Sequence, residues 1–421
     1  MLNMLMKKDP RINRKRLVRT FLDMININSP SFHEGRMGDY LESKLRPLGF
    51  RVTRQRYDKS FNIIAFRKGS NKQSSPLILS AHMDTIEPTE GIRYRVTDKI
   101  IRSTGSTVLG ADDKSAIAQI IEAVAVVAEH DISHGDIEIV ITSAEERGLH
   151  GAKNLDHTKI KGRHALVLDS GGRVGRIVIA APTQVTYEMR VTGRSAHAGM
   201  EPEKGINAIR VAAEIIAAVP DGRIDKETTA NIGMISGGTA TNVVTKEVVL
   251  RGEVRGRNTA VLKRIKGDIF RKARAIAGER KARVRITEDQ EYRSFRIDEG
   301  DPFLGFVKDI FLTCGISPEP VITGGGSDAN IFNATGIRAI NISNGMQNVH
   351  SSEEFIEIKD LERGCQIVLS AIEHFPELSG KKKRRTRKTT AFSGGLCSFP
   401  FQRCIRSGVC ESSKGRVCLR S

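Results

Sequence analysis

Five short segments of the chain hold histidine and acidic residues of the kinds that bind divalent metals. They are SAHMDT at 80–85, GADDK at 110–114, SAEERG at 143–148, LDS at 168–170 and NVHSS at 348–352. Carboxylates and imidazoles that gather in one place repel one another or stay unpaired unless a cation joins them. Two zinc ions would satisfy such a set, because one carboxylate can give an oxygen to each ion, as in two-metal hydrolases. The residue types therefore favour a two-metal hydrolytic centre.

The elements predicted around these segments would place them at one edge of a sheet. Strand-like runs cover 51–57, 62–67, 77–81, 137–142 and 165–168, and an almost wholly apolar helix is predicted over 115–129. Because strands, polar strand ends and helices alternate, we expect an α/β fold with a mixed, mostly parallel central sheet flanked by helices. In such folds the chemistry lies at the carboxyl ends of the strands.

The pattern changes near residue 181. Runs at 186–191, 232–236 and 248–255 alternate like half-exposed antiparallel strands, and 205–219 and 260–277 have helical spacing. Near residue 303 the apolar pattern of buried strands and helices, as in the first part of the chain, returns. We therefore expect a discontinuous catalytic domain at 1–182 and 296–378, an inserted α+β domain at 183–295, and a tail at 379–421.

The net charge of +18 is concentrated in that tail. Residues 380–421 contain 12 Lys and Arg against one Glu, and also four of the six cysteines. We expect the tail to be disordered, and nucleic-acid binding only through it. The longest apolar stretch, 116–128, is too short for a membrane span, and the N-terminus is unlike a secretory signal. A cytoplasmic protein without a membrane partner is expected.

Together, the five segments resemble the co-catalytic zinc exopeptidase family of peptidase T, acetylornithine deacetylase, succinyl-diaminopimelate desuccinylase and the glutamate carboxypeptidases. GADDK and SAEERG are most similar to the peptidase T branch, and the resemblance covers about residues 10–378. It implies two Zn²⁺ per subunit, with Co²⁺ or Mn²⁺ as substitutes. The inserted domain would then be a lid through which two subunits form a homodimer.

The resemblance also implies a role for each residue of the motifs. Asp112 would bridge the two metals, with a cis peptide before Asp113. Glu145 would be the general base, and Asp84 would orient the ring of the first histidine. The full set of metal ligands implied is His82, Asp112, Glu146, Asp169 and His350. Taken singly, each has a plainer interpretation: a structural histidine, a solvated Glu145–Glu146 pair, a helix cap or a loop aspartate. The two glutamates could also exchange roles.

Substrate residues are implied in three further segments. In GRSAHAG (193–199), His197 is similar to a histidine that stabilises the oxyanion in the partner subunit, although it could be a surface histidine. Asn242 and Arg255 resemble lid residues that grip the substrate, and Arg255 could equally form a surface ion pair. In GGGSDA (324–329), Gly325 and Ser327 would line the substrate pocket, unless the segment is a plain turn.

The expected function is removal of the N-terminal residue from short peptides, as by a tripeptide aminopeptidase. The alternatives are an amidohydrolase or deacylase of N-acyl amino acids, or a dipeptidase or carboxypeptidase, because these share the metal site. A nucleic-acid-binding protein that uses the tail is a rival of another class. A catalytically silent relative is disfavoured, because Glu145 and all five ligands are present.

Overall fold

A computed structural model describes residues 9–71 and 75–380, without the side chains of 376–380. Most of the predicted tail therefore lies outside the described residues. The helices are α1 Arg14–Ile25, α2 Gly35–Leu45, α3 Ala111–Glu129, α4 His150–Lys153, α5 Ala208–Ala218, α6 Thr259–Glu279, α7 Pro302–Thr313, α8 Asp328–Ala334 and α9 Ile358–Gly380. The strands are β1 Arg51–Tyr57, β2 Ser60–Arg67, β3 Leu77–His82, β4 Tyr94–Val96, β5 Ile100–Ser103, β6 Ile137–Thr142, β7 His164–Ser170, β8 Arg176–Ala181, β9 Thr183–Thr192, β10 Gly222–Arg223, β11 Thr228–Gly237, β12 Glu247–Gly256, β13 Arg283–Tyr292, β14 Phe295–Arg296, β15 Glu319–Ile322, β16 Arg338–Ser343, β17 Met346–Gln347 and β18 Phe355–Glu357.

The largest sheet has nine strands and a parallel centre. Its order is β1-β2-β6-β3-β7-β16-β8-β14, with β15 paired to β8. The four central strands β6, β3, β7 and β16 are parallel, whereas β2 and β8 join them in the antiparallel sense. This is the mixed, mostly parallel sheet that the sequence predicted.

Side chains on both faces of this sheet are buried, which explains why its strands lack polar alternation. All six residues of β3 are buried. Leu77 and Leu79 pack into the core that includes α1, α3, α7 and α9, whereas Ile78 packs into the core that includes α8. Full burial of such a side chain stabilises the fold by about 1.5–3 kcal/mol. The two cores thus fix the strands whose carboxyl ends carry the site.

The inserted segment forms a second, antiparallel sheet of order β10-β11-β12-β9-β13. Its inner face packs on α5 and α6 in a core of its own, so β9 alternates buried and more exposed residues. β9 pairs with β13, and β8 pairs with β14, so the chain enters and leaves this sheet through neighbouring strands. The molecule therefore combines an α/β sheet with an inserted α+β unit, as expected.

A small sheet of order β17-β18-β5-β4 connects two of the site segments. His350 lies in the connection between β17 and β18, and the loop after β5 leads to Asp112 at the start of α3. Over the described residues, no helix is both long and apolar enough to cross a membrane.

Candidate active site

Three of the five segments predicted to bind metal lie at the ends of neighbouring parallel strands. His82 is the last residue of β3, and Asp169 is the penultimate residue of β7. Glu145 and Glu146 follow β6 after a turn in which Ala144 has a φ of 48°. Because adjacent parallel strands end at the same edge, these side chains converge there.

Asp112 lies between the two histidines, and each of its carboxylate oxygens faces one of them. Oδ1 is 3.0 Å from His82 Nε2, and Oδ2 is 3.3 Å from His350 Nε2. His350 Nε2 is also 3.0 Å from Glu146 Oε1, and His82 Nε2 is 3.9 Å from Asp169 Oδ1. The Asp112–Asp113 peptide bond is cis, as predicted. The structure thus brings all five predicted ligands to one place.

These separations suit side chains that share cations. Two ligands that each lie about 2.0–2.2 Å from a tetrahedral ion are about 3.4 Å apart, close to the measured values. Among the described residues, two groups have the spacing for a metal: His82 with Asp112 and Glu146, and His82 with Asp113 and Asp169. Both oxygens of Asp113 already accept hydrogen bonds, from the His82 backbone N–H and from Asn344 Nδ2. This favours Asp112 over Asp113 as the ligand.

The electrostatics of the cluster also call for cations. Burial, together with the charge of Asp169, raises the pKa of Glu145 well above its usual value. Burial also raises the pKa of Glu146 and of Asp169, each with a contribution from the charge of Asp112. Hydrogen bonds to Asp112 and Glu146 raise the pKa of His350 to about 10. Divalent ions would replace the protons that otherwise balance these carboxylates, so the donor set fits a metal centre.

Asp84 holds two parts of this cluster in place through hydrogen bonds. The ring Nδ1 of His82 is 3.0 Å from the backbone oxygen of Asp84 and 3.4 Å from its carboxylate Oδ1. The carboxylate accepts the backbone N–H groups of Glu145 and Glu146, and Ser31 Oγ donates to it as well. Asp84 therefore positions both the histidine and the turn that carries the two glutamates.

Two cavities meet at Glu146 and His350. One, of about 230 Å³, is lined by the cluster of predicted ligands and by the glycine-rich loop. Its lining includes Asp112, Glu145, Glu146, Asp169, His350, Gly325, Gly326 and Ser327. The other, of about 360 Å³, is bounded by Ser31, Thr85, Ile86, Glu87 and Arg147 on its far side. Glu145, Gly325 and Ser327, which were predicted separately, thus face one space.

His197 and Asn242 lie together on the inserted sheet domain, and both are exposed. The Ala198 backbone N–H donates to the Asn242 carbonyl at 2.9 Å. His197 Nδ1 accepts the backbone N–H groups of Gly199 and Met200, each at 3.2 Å. In the neutral ring the proton is therefore on Nε2, which is left as a donor. Neither residue lines the two cavities beside the cluster.

Arg255 reaches from the inserted domain to the glycine-rich loop. Its Nε and Nη2 donate to Glu253 at 2.8 and 3.1 Å. Its Nη1 lies 3.4 Å from the Gly324 carbonyl and 3.4 Å from the Tyr292 hydroxyl. Arg255 therefore forms the ion pair that was the plainer interpretation of this residue, with Glu253 as its partner. Its Nη1 faces the glycine-rich loop beside the cavity.

The residues that hold these segments in place were not predicted from the sequence. Asn341 donates from Nδ2 to the Asp169 carbonyl and accepts the Asp169 N–H, and buried Glu34 accepts the N–H of Ala144. Buried Glu354 accepts three backbone N–H groups next to Asp112. The sequence does mark Asn341, because this polar residue interrupts the apolar run of β16. Nothing in the sequence marks Glu354, since Glu353–Glu354 resembles a solvated pair.

Comparison with known proteins agrees with this geometry. The chain matches the peptidase dimerisation domain over residues 179–281 and peptidase family M28 over residues 62–211. It is 37% identical over 374 residues to the uncharacterised protein YqjE of Bacillus subtilis, covering 86% of this chain and 99% of that one. The crystal structure of aminopeptidase PepT from Bacillus cereus is 35% identical, with a TM-score of 0.78, over 87% of this chain and 99% of that one. The chain belongs to the peptidase T-like branch of the co-catalytic zinc exopeptidases.

Another member of this branch extends the comparison. A tripeptidase from Staphylococcus aureus is 32% identical with a TM-score of 0.82, covering 87% of this chain and 100% of that one. Human carnosine dipeptidase 1, at 14% identity and a TM-score of 0.70, shares the fold alone. As a peptidase T-like protein, the chain is a metal-dependent peptidase with a dimerisation domain.

Proposed function

We propose that the protein is an aminopeptidase with two divalent metals, and that it removes the N-terminal residue from short peptides, tripeptides in particular. One observation carries the proposal: the two carboxylate oxygens of Asp112 face two different histidines beside a cavity that Glu145 also lines. The aminopeptidase PepT and the tripeptidase at 35% and 32% identity support the choice of substrate.

The metals would be Zn²⁺, two per subunit, with Co²⁺ or Mn²⁺ as substitutes. His82 and Asp169 would hold the first ion, Glu146 and His350 the second, and Asp112 both. Imidazole and carboxylate donors are those that zinc takes in catalytic sites. When bound, such ions polarise the scissile carbonyl and bring the pKa of water down toward 7.

Glu145 would transfer a proton from the attacking water to the leaving amine. It lines the cavity with the ligands, and burial and the charge of Asp169 raise its pKa. A carboxylate with a raised pKa both accepts a proton from the attacking water and gives it up again. Glu145 would therefore take that proton and deliver it to the amine that leaves when the C–N bond breaks.

In a homodimer, each subunit would place its His197 in the active site of the other subunit. Five large apolar side chains of the inserted domain are exposed, namely Met200 at 76%, Ile209 at 43%, Ile216 at 36%, Met234 at 60% and Ile235 at 56%. Ile209 and Ile216 lie two turns apart on α5, so they share one face of that helix. An exposed apolar surface on a matched dimerisation domain is the expected subunit interface. The Nε2–H of His197 would then reach the oxyanion in the site of the partner subunit.

The inserted domain, residues 183–295, would act as a lid over the peptide. Asn242 would hydrogen-bond the peptide backbone, and the Nη1 of Arg255, which faces the glycine-rich loop, would turn to the carboxylate of the substrate. Gly325 and Ser327 would form the opposite wall. Closure of such a lid excludes water and orients the substrate.

The nearest alternative, a deacylase of N-acyl amino acids, uses the same metal-binding residues and is tested by substrate. Purified protein loaded with zinc should hydrolyse tripeptides with a free amine and leave N-acetyl amino acids nearly untouched. Turnover of the acylated series alone would refute the aminopeptidase assignment and favour the deacylase.

Glu145→Gln tests the role of the base. The side chain keeps its shape but cannot accept the proton, so we expect a rate reduced by about 10²–10⁴-fold. Metal content, measured on the same samples, should stay near two ions per chain in both proteins. A variant with unchanged turnover would show that another group is the base.

A further inference from the structure

Glu354 is a buried carboxylate that the mechanism above does not use. Its side chain is 1% exposed, and both of its oxygens accept hydrogen bonds. Oε2 accepts the backbone N–H groups of Leu109 and Gly110 at 2.7 and 2.8 Å, and Oε1 accepts that of Asp112 at 2.9 Å. One side chain therefore fixes the backbone on both sides of Ala111, immediately before the bridging carboxylate.

The backbone of Glu354 is fixed as well, only four residues after His350. Its N–H donates to the Ser351 carbonyl at 3.2 Å, and its carbonyl accepts the N–H of Ser103 at 2.9 Å. The next residue, Phe355, begins β18 and pairs with Arg102 of β5. Glu354 thus connects the segment of His350 rigidly to the loop of Asp112.

We infer that Glu354 is a positioning residue, which sets the distance between Asp112 and His350 and thereby the affinity of the second metal position. The inference rests on the proposed two-metal function. The two atoms concerned, Asp112 Oδ2 and His350 Nε2, are 3.3 Å apart, and each belongs to a segment that Glu354 holds. His82 and Asp169, at the other end of the cluster, lie on β3 and β7 and are held by the main sheet instead.

Glu354→Gln disturbs this link with little change in volume. A glutamine has one acceptor oxygen and an NH₂ group, so in either orientation its NH₂ faces at least one backbone N–H. The loop of Asp112 must then shift, whereas β3 and β7 are unaffected. Loss of a residue that supports a metal ligand typically weakens metal binding by about 10–100-fold.

Two control variants separate this effect from a general loss of stability. Glu138→Gln removes another carboxylate that is 1% exposed and accepts backbone N–H groups, those of Lys161 and Gly162, near the opposite end of β6. Glu353→Gln changes the exposed neighbour of Glu354. Neither belongs to the proposed site.

Calorimetric titration of metal-free protein with Zn²⁺ tests the inference. For the wild type and both controls we expect two bound ions. For Glu354→Gln we expect the ion held by Glu146 and His350 to bind about 10–100-fold more weakly than in the wild type. The ion held by His82 and Asp169 should be weakened less, because it shares only Asp112 with the disturbed segments. Excess zinc should restore activity. Equal affinities in Glu354→Gln and wild type, or equal weakening of both ions, would overturn the inference. A wild type that binds no pair of ions would instead refute the proposed function.

Discussion

At the scale of single residues, the wall of the cavity depends on a close approach between Tyr292 and Gly326. A side chain at Gly326 would overlap the ring of Tyr292, whereas one at Gly324 would meet nothing within 4 Å. Tyr292 is 5% exposed and has its hydroxyl beside Arg255, so it cannot move without disturbing the inserted domain. Glycine at 326 is therefore required by packing, and the two positions offer a matched pair of substitutions.

We expect Gly326→Ala to raise the KM for tripeptides and to destabilise the protein by about 1–3 kcal/mol, because the added methyl group overpacks a filled site. Gly324→Ala should change neither quantity appreciably. Steady-state kinetics and urea denaturation of the two variants measure the difference. If both alanine variants behave alike, the contact between Tyr292 and Gly326 has no part in shaping the pocket.

The sequence allowed prediction of the residues that the structure brings together at the candidate site, but not of those that hold them there. His82, Asp112 and His350 could be found because imidazoles and carboxylates in this order are characteristic of metal ligands. Glu34 and Glu354 act through backbone N–H groups of residues far away in the chain, and that pairing depends on the fold. A buried glutamate of this kind has no local pattern that distinguishes it from a solvated one.

At the scale of elements, an ion cluster fastens α2 to β1. Glu42 on α2 pairs with Arg46 at 2.6 Å and with Arg54 on β1. The hydrogen bond from Arg46 lowers the pKa of Glu42 from 4.5, although partial burial opposes this. Because the pKa is lower in the folded state, the stabilisation is present above pH 4.5 and is lost as the pH falls through the folded pKa.

Glu42→Gln should therefore reduce the free energy of unfolding at pH 7 by less than about 1 kcal/mol, since the cluster is partly exposed. The difference from the wild type should shrink as the pH is lowered from 7 to about 3, because the wild-type carboxylate gains protons as the pH falls toward and through its folded pKa. Urea denaturation at pH 7 and at about pH 3 measures this difference in the free energy of unfolding. Glu90→Gln, at an exposed position, is the control. A difference that stays constant with pH would contradict the ionic origin.

The bounds of several elements were predicted closely from the sequence. The predicted strands 51–57 and 137–142 coincide with β1 and β6, and the predicted helix 115–129 lies within α3. β13 was not predicted, because only Val284 and Ile286 alternate at its start, and the five residues that follow Ile286 are polar and mostly exposed. The seven-residue helix α8 is too short for a helical period to be recognised. Such elements are stabilised by contacts with partner strands and the core, and single sequence windows do not contain these contacts.

At the scale of the whole molecule, the proposed dimer makes each site depend on two chains. We expect His197→Ala and Glu145→Gln proteins each to be nearly inactive. A heterodimer of the two would have one complete site, with Glu145 from one chain and His197 from the other. Its activity should therefore be about half that of the wild type. Co-expression with two different tags yields this species for assay, and an inactive heterodimer would show that His197 does not act across the interface.

The chain passes into and out of the inserted domain at Ala181 and Phe295, which are hydrogen-bonded neighbours on β8 and β14. A tight hairpin turn would therefore suffice to rejoin the chain if everything between them were cut away. All five proposed metal ligands lie outside the deleted stretch, and its core is separate from those of the main sheet. One deletion could therefore remove the proposed lid and leave intact the strands that carry the proposed metal ligands.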